Sequence, residues 1–203
     1  MDAGAIRSID GSPDDSHYVF QASEGNVHSL ISLAVDILRR RRQSISFAES
    51  VTGGMLADLW VAEPGVSDVF PGAVVAYGDL AKETFLAIPK VYLQNFGAVS
   101  REVALAMAEE VRQRLATDFS IALTGIAGPG GGSSAWPIGT IWVAMRTPTR
   151  KILQKVFFPD YAGQRNLIRE KACYAACKIF IQVLFEEEMP SREALPFHPA
   201  AFA

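Results

Sequence analysis

Apolar and polar residues follow two different periods along this chain, and the switches between them predict its elements. From Val27 the apolar positions Leu30, Ile31, Ala34, Ile37 and Leu38 recur at helical spacing and run into Arg39 to Arg42, where positive charge suits a helix C-terminus. "SISFAES" (44–50) then reads as a short strand. "MLADLW" (55–60), opened by Gly53 and Gly54, reads as a short helix, and the uninterrupted apolar run of "AVVAYG" (73–78) as a buried strand. "DLAKETFLAI" (79–88) is a brief helix with Asp79 near its start. Ser100 is placed to cap "REVALAMAEEVRQRLA", whose apolar stripe is Val103, Ala106, Met107 and Val111. "FSIALTG" (119–125), "GTIWVAM" (139–145) and "ILQKVFFP" (152–159) read as strands. A last helix from about Gln164 to Glu187 buries Leu167, Ile168, Ala172, Ala175, Ile179 and Leu184.

Helices interleaved with apolar strands predict a three-layer α/β/α sandwich, and the adjacent strands late in the chain make its β-sheet mixed. The pattern divides the chain into an N-terminal arm (1–24), one domain (25–187) and a C-terminal tail (188–203). A length of 203 residues with 49% hydrophobic content suits one globular core.

Charge and cysteine usage narrow the partners. The net charge is -3 and basic residues cluster only at Arg39 to Arg42, so no nucleic-acid partner is expected. Cys173 and Cys177 lie four apart without nearby histidine, which argues against a zinc site or a disulfide framework and makes a reducing cytoplasm the expected compartment. No apolar run is long enough for a bilayer, and the acidic start "MDAGAIRSIDGSPDDS" is unlike a signal peptide, so no membrane partner is expected. No cofactor or metal is implied. Trp60, Trp136 and Trp142 leave two uses open, core packing and a homo-oligomer interface.

In layered α/β proteins, chemistry gathers at the carboxyl ends of strands. Three loops occupy such ends here: "ESVTGG", "YGDLAK" and "TGIAGPGGG". The last fits neither the phosphate-loop nor the dinucleotide glycine pattern, and its glycines serve either a ligand or a flexible connection. In the first, Ser50 is either a helix cap or a nucleophile on a sharp turn. The histidines, His17, His28 and His198, lie in the arm, the first helix and the tail, which disfavours a Ser-His-Asp triad. A serine without histidine needs another base. Lys82 is the leading candidate, against the alternative of a solvated surface charge.

Read in order, "AESVTGG", "PGVSDVFPGAVVAYGDLAK", "FGAVSREVALAMAEEVR", "TGIAGPGGG" and "PIGTIWVAM" resemble the C-terminal domain of the CinA competence/damage-inducible family over about residues 27 to 187. Active members of that family are nicotinamide mononucleotide amidohydrolases of the PncC type. The resemblance implies Ser50 as nucleophile, Lys82 as its partner, and Tyr77 and Thr124 in substrate positioning or proton relay. It further implies a small-molecule nucleotide as substrate; the backbone N–H groups of Thr52, Gly53 or Gly125 are then candidates to hold the oxyanion, and the loop amides of Gly128, Gly130 and Gly131 with Arg165 to hold the phosphate. Two departures bear on activity: Val51 stands where the family usually has cysteine, and Gly78 and Asp79 replace its usual serine and asparagine.

Overall fold

The computed structural model describes residues 26–188 together with Tyr18–Val19. Strands β1 (Tyr18–Val19), β2 (Ile45–Glu49), β3 (Gly72–Val75), β4 (Phe119–Gly125), β5 (Thr140–Arg146) and β6 (Lys151–Phe157) form one sheet in the order β1-β6-β5-β4-β2-β3. β5 runs antiparallel to both neighbours and every other pairing is parallel, so the sheet is mixed as expected. The helices are α1 (Val27–Arg41), α2 (Met55–Val61), α3 (Asp79–Leu86), α4 (Lys90–Phe96), α5 (Arg101–Leu115) and α6 (Arg165–Glu188).

Local chemistry sets the helix boundaries. The Asn26 side chain accepts the His28 N–H at the start of α1, and Arg42 closes its end in the left-handed conformation. Ser100 caps α5 by accepting the Val103 N–H, as its sequence predicts. α4 has no counterpart in the sequence reading, because it buries only Leu93 and so shows no apolar stripe, whereas the equally short α2 buries Leu56 and Trp60 four apart. The rest of the 1–24 segment and the tail beyond Glu188 lie outside the described residues.

Two cores lie on opposite faces of the sheet. One packs α1, α2 and α6 over residues such as Ile45, Phe47 and Ile121; the other packs α3, α4 and α5 over Ala48, Ala122 and Ala144. Aromatic rings hold the first together: Phe47 meets Trp60 edge-on at 5.1 Å, and Phe180 sits 6.2 Å from Trp60 and 5.5 Å from Phe119. Trp142 is also buried, with half-buried Trp136 packed edge-on against it at 5.6 Å, so packing accounts for these rings.

One expected element differs. The apolar run at 73–78 is not an interior strand but the sheet's edge, with Val75 45% exposed. Periodicity measures apolarity, and an edge strand beside a helix-covered face is apolar too.

The connections define where a ligand fits. β2 leads into α2 on one face, while its neighbour β3 leads into α3 on the other. Adjacent strands whose exits diverge leave a crevice at their carboxyl ends, the usual binding place in open α/β sheets.

Trp60→Ala empties the centre of the aromatic cluster; urea unfolding is expected to show a loss of about 3–5 kcal/mol.

Candidate active site

Ser50 follows β2 directly, and its N–H extends the parallel ladder by donating to Leu123 O at 2.9 Å. The next rung would take the Gly125 N–H to the Ser50 carbonyl. That carbonyl instead accepts the Gly53 N–H at 3.1 Å as the chain turns away. The turn uses left-handed backbone at both Gly53 (φ 61°) and Gly54 (φ 96°), which explains the paired glycines. Extending the β2–β4 register by one residue places Ser50 beside Thr124 on the α3/α5 face.

Lys82 reaches Ser50 from α3. It is 1% exposed, and its Nζ lies 3.2 Å from Ser50 Oγ, 3.0 Å from Ala76 O and 3.3 Å from Tyr77 O. An ammonium fills all three acceptors. A neutral amine donates to the two carbonyls and turns its lone pair to the Ser50 hydroxyl. In the charged state, that hydroxyl has an alternative acceptor in Tyr77 O at 3.4 Å. Burial lowers the Lys82 pKa from its ordinary 10.5, and the Asp79 carboxylate pushes it back up. Asp79 is therefore an electrostatic neighbour of the base.

The other expected residues divide into three groups. Thr124 is 1% exposed, and its hydroxyl donates to Ala98 O at 2.8 Å, tying β4 to the loop before α5. Tyr77 and Arg165 meet at the surface: Arg165 donates to Tyr77 Oη at 2.7 Å and to Gly128 O at 2.6 Å, joining the β3 exit, the glycine loop and the start of α6. Gly130 and Gly131 border a cleft of about 640 Å³ whose lining includes neither Ser50 nor Lys82.

The backbone donors sort differently from the sequence reading. The Gly53 N–H is spent inside the turn, and Thr52 has no exposed surface. The Gly125 N–H is left beside Ser50, and a Cβ at Gly125 would press to 2.5 Å from Thr140 O, so packing also requires glycine there. The Val51 N–H, absent from the sequence reading, has no acceptor among the described residues. The Val51 side chain is 5% exposed and lies in the core with Phe47, Leu56 and Trp60, so the family's cysteine position faces away from Ser50.

Glu49 and Arg169 are two further residues that the sequence reading missed. Glu49 is fully buried and its carboxylate accepts the N–H groups of Gly54 at 3.0 Å, Leu56 at 3.0 Å and Ala57 at 2.8 Å, capping α2 from the end of β2. Arg169 donates from Nε at 3.2 Å and Nη2 at 2.8 Å to Thr52 O. An acid four residues ahead of a Gly-Gly helix start was the signal for the first; nothing in the sequence marked the second. The two cysteines are not nucleophiles, since burial pushes Cys177 up to about 12 and Cys173 higher still.

Fold and site together define a class of protein: an α/β/α sandwich with a buried lysine paired to a serine at its topological switch point. Residues 27–184 match the CinA C-terminal domain, and the chain belongs to that family. It is 42% identical over 144 residues to a CinA-like protein of Thermosipho melanesiensis, covering 70% of this chain and 35% of that one. It is 48% identical over 120 residues to a CinA-like protein of Parasynechococcus marenigrum, covering 59% and 29%. The chain thus spans about a third of the length of these relatives. A competence/damage-inducible protein from Agrobacterium tumefaciens superposes with a TM-score of 0.75 at 31% identity, covering 81% of this chain and 99% of that one. A CinA superfamily protein from Escherichia coli gives 0.75 at 30% identity, covering 81% and 94%.

A lysine whose pKa is lowered by folding binds fewer protons folded than unfolded between its folded value and 10.5, so stability rises with pH across that window. Lys82→Met removes this dependence: urea denaturation is expected to find it more stable than wild type at neutral pH, with the gap closing towards pH 10.5. Asp79→Asn removes the charge that favours the ammonium, and NMR titration of the Lys82 side chain is expected to move to lower pH. An unmoved midpoint contradicts the electrostatic coupling.

Proposed function

We propose that this chain is an amidohydrolase that deamidates nicotinamide mononucleotide to nicotinic acid mononucleotide and ammonia through Ser50 and Lys82, serving pyridine nucleotide salvage in the cytoplasm. The observation that carries the reading is the 3.2 Å approach of a fully buried lysine to the serine hydroxyl. Family membership supports it.

In the proposed reaction neutral Lys82 takes the Ser50 proton as Oγ bonds to the carboxamide carbon. The C–N bond then breaks, and the proton passes from Lys82 to the departing ammonia. Water, relieved of a proton by Lys82, attacks the acyl-enzyme and restores the serine. The N–H groups of Gly125 and Val51 flank Ser50 and are the candidate oxyanion donors, each worth about 3 kcal/mol where such donors have been removed elsewhere. Arg165 is suited to the substrate phosphate, reached by exchanging its bonds to Gly128 O and Tyr77 Oη. The alternative, a nucleotide-binding module without turnover, draws on Asp79, which holds Lys82 towards the charged and inactive form.

The test is ammonia and acid product from nicotinamide mononucleotide. Ser50→Ala and Lys82→Ala are each expected to reduce turnover at least about 10³-fold, as loss of a nucleophile or its base does. Wild-type activity is expected to rise with pH as Lys82 loses its proton. Binding of the nucleotide without turnover at any pH selects the alternative.

A further inference from the structure

The Ser50 turn contains two successive left-handed glycines, residues with the widest conformational freedom, at the place where a nucleophile must be held most firmly. Its internal restraint is small: Gly53 N–H to Ser50 O at 3.1 Å and Met55 N–H to Thr52 O at 3.3 Å. Two charged side chains restrain it from outside, both on the face opposite Lys82. Glu49 gathers the N–H groups that follow the turn, at Gly54, Leu56 and Ala57. Arg169 grips the middle of the turn, with two guanidinium N–H groups on the single carbonyl of Thr52. That carbonyl lies two peptide units beyond the Val51 N–H. Holding that carbonyl limits the freedom of the two residues between it and Ser50.

We infer that Glu49 and Arg169 are positioning residues that clamp the nucleophile turn, with Arg169 acting through the Thr52 carbonyl rather than on substrate. The inference rests on the reading of Ser50 as nucleophile. It separates two arginines one helical turn apart: Arg165 bonds the glycine loop and Tyr77, whereas Arg169 puts Nε and Nη2 on the Thr52 carbonyl and Nη1 on Asn166 Oδ1 of its own helix. The separation has a kinetic signature. Loss of a substrate contact raises KM, while loss of a clamp lowers kcat with KM nearly unchanged.

The experiment compares wild type, Arg169→Ala, Arg169→Lys and Arg165→Ala by turnover of nicotinamide mononucleotide and by the rate at which a fluorophosphonate labels Ser50. Arg169→Ala is expected to lose about 10²-fold in kcat and in labelling rate, the scale of a misplaced reacting group, with KM changed less than about threefold. Millimolar guanidinium is expected to restore part of both, and the same concentration of sodium chloride neither. Arg169→Lys keeps the charge but not the fork, and is expected to lose at least about tenfold should the alanine variant fail to fold. Wild type that neither turns over nor labels at Ser50 removes the nucleophile reading beneath the inference. Wild type that labels while folded Arg169 variants label equally fast, or an Arg169→Ala defect confined to KM, overturns the clamp alone.

Discussion

An amine with 1% exposure must satisfy its hydrogen bonds from whatever the fold places around it, and Lys82 finds two main-chain carbonyls and one hydroxyl. Leaving such a group unpaired in the interior costs several kcal/mol, so the surrounding geometry is under strong constraint. β3 must end where the carbonyls of Ala76 and Tyr77 turn inward. α3 must begin at once, so that its fourth residue reaches back over them. β2 must stop at Glu49, so that the next residue delivers the hydroxyl. The Ala76 N–H, donating to Glu49 O at 2.8 Å, ties the two strand exits together at that level.

The sheet order explains why these pieces meet. β2 and β3 are neighbours whose following helices lie on opposite faces, so the loops part above them and α3 can send a side chain into the gap. The buried carboxylate and the buried amine are separated by the same division. Lys82 and the Ser50 hydroxyl occupy the α3/α5 side, while Glu49 and Arg169 hold the turn from the α2/α6 side. The buried carboxylate takes only main-chain donors and leaves the amine its own partners.

Elements of long period were legible in the sequence: α1, α5 and α6 fall within one or two residues of their expected limits, and β4 matches its expected span. The position of β3 was not, because an apolar run reports that a strand is covered but not how many neighbours it has. α4 buries a single residue, Leu93, so no apolar stripe marked it. At the site, Ser50 and Lys82 were legible only together, through a family pattern. Glu49 and Arg169 were not read as part of it, since both act on peptide groups, which every residue possesses; Glu49 stood inside the AESVTGG block with no partner to mark its role. Val51 shows the reverse case: a departure that looked chemical in the sequence is a packing residue in the fold.

Two of the three atoms that hold the Lys82 amine are main-chain carbonyl oxygens, and the third is the Ser50 hydroxyl. Residues 76 to 79 can therefore change identity while the atoms that orient Lys82 stay where they are. Gly78 and Asp79 are such changes. Because those carbonyl partners belong to the main chain, the side chains of the same loop are not committed to holding the lysine.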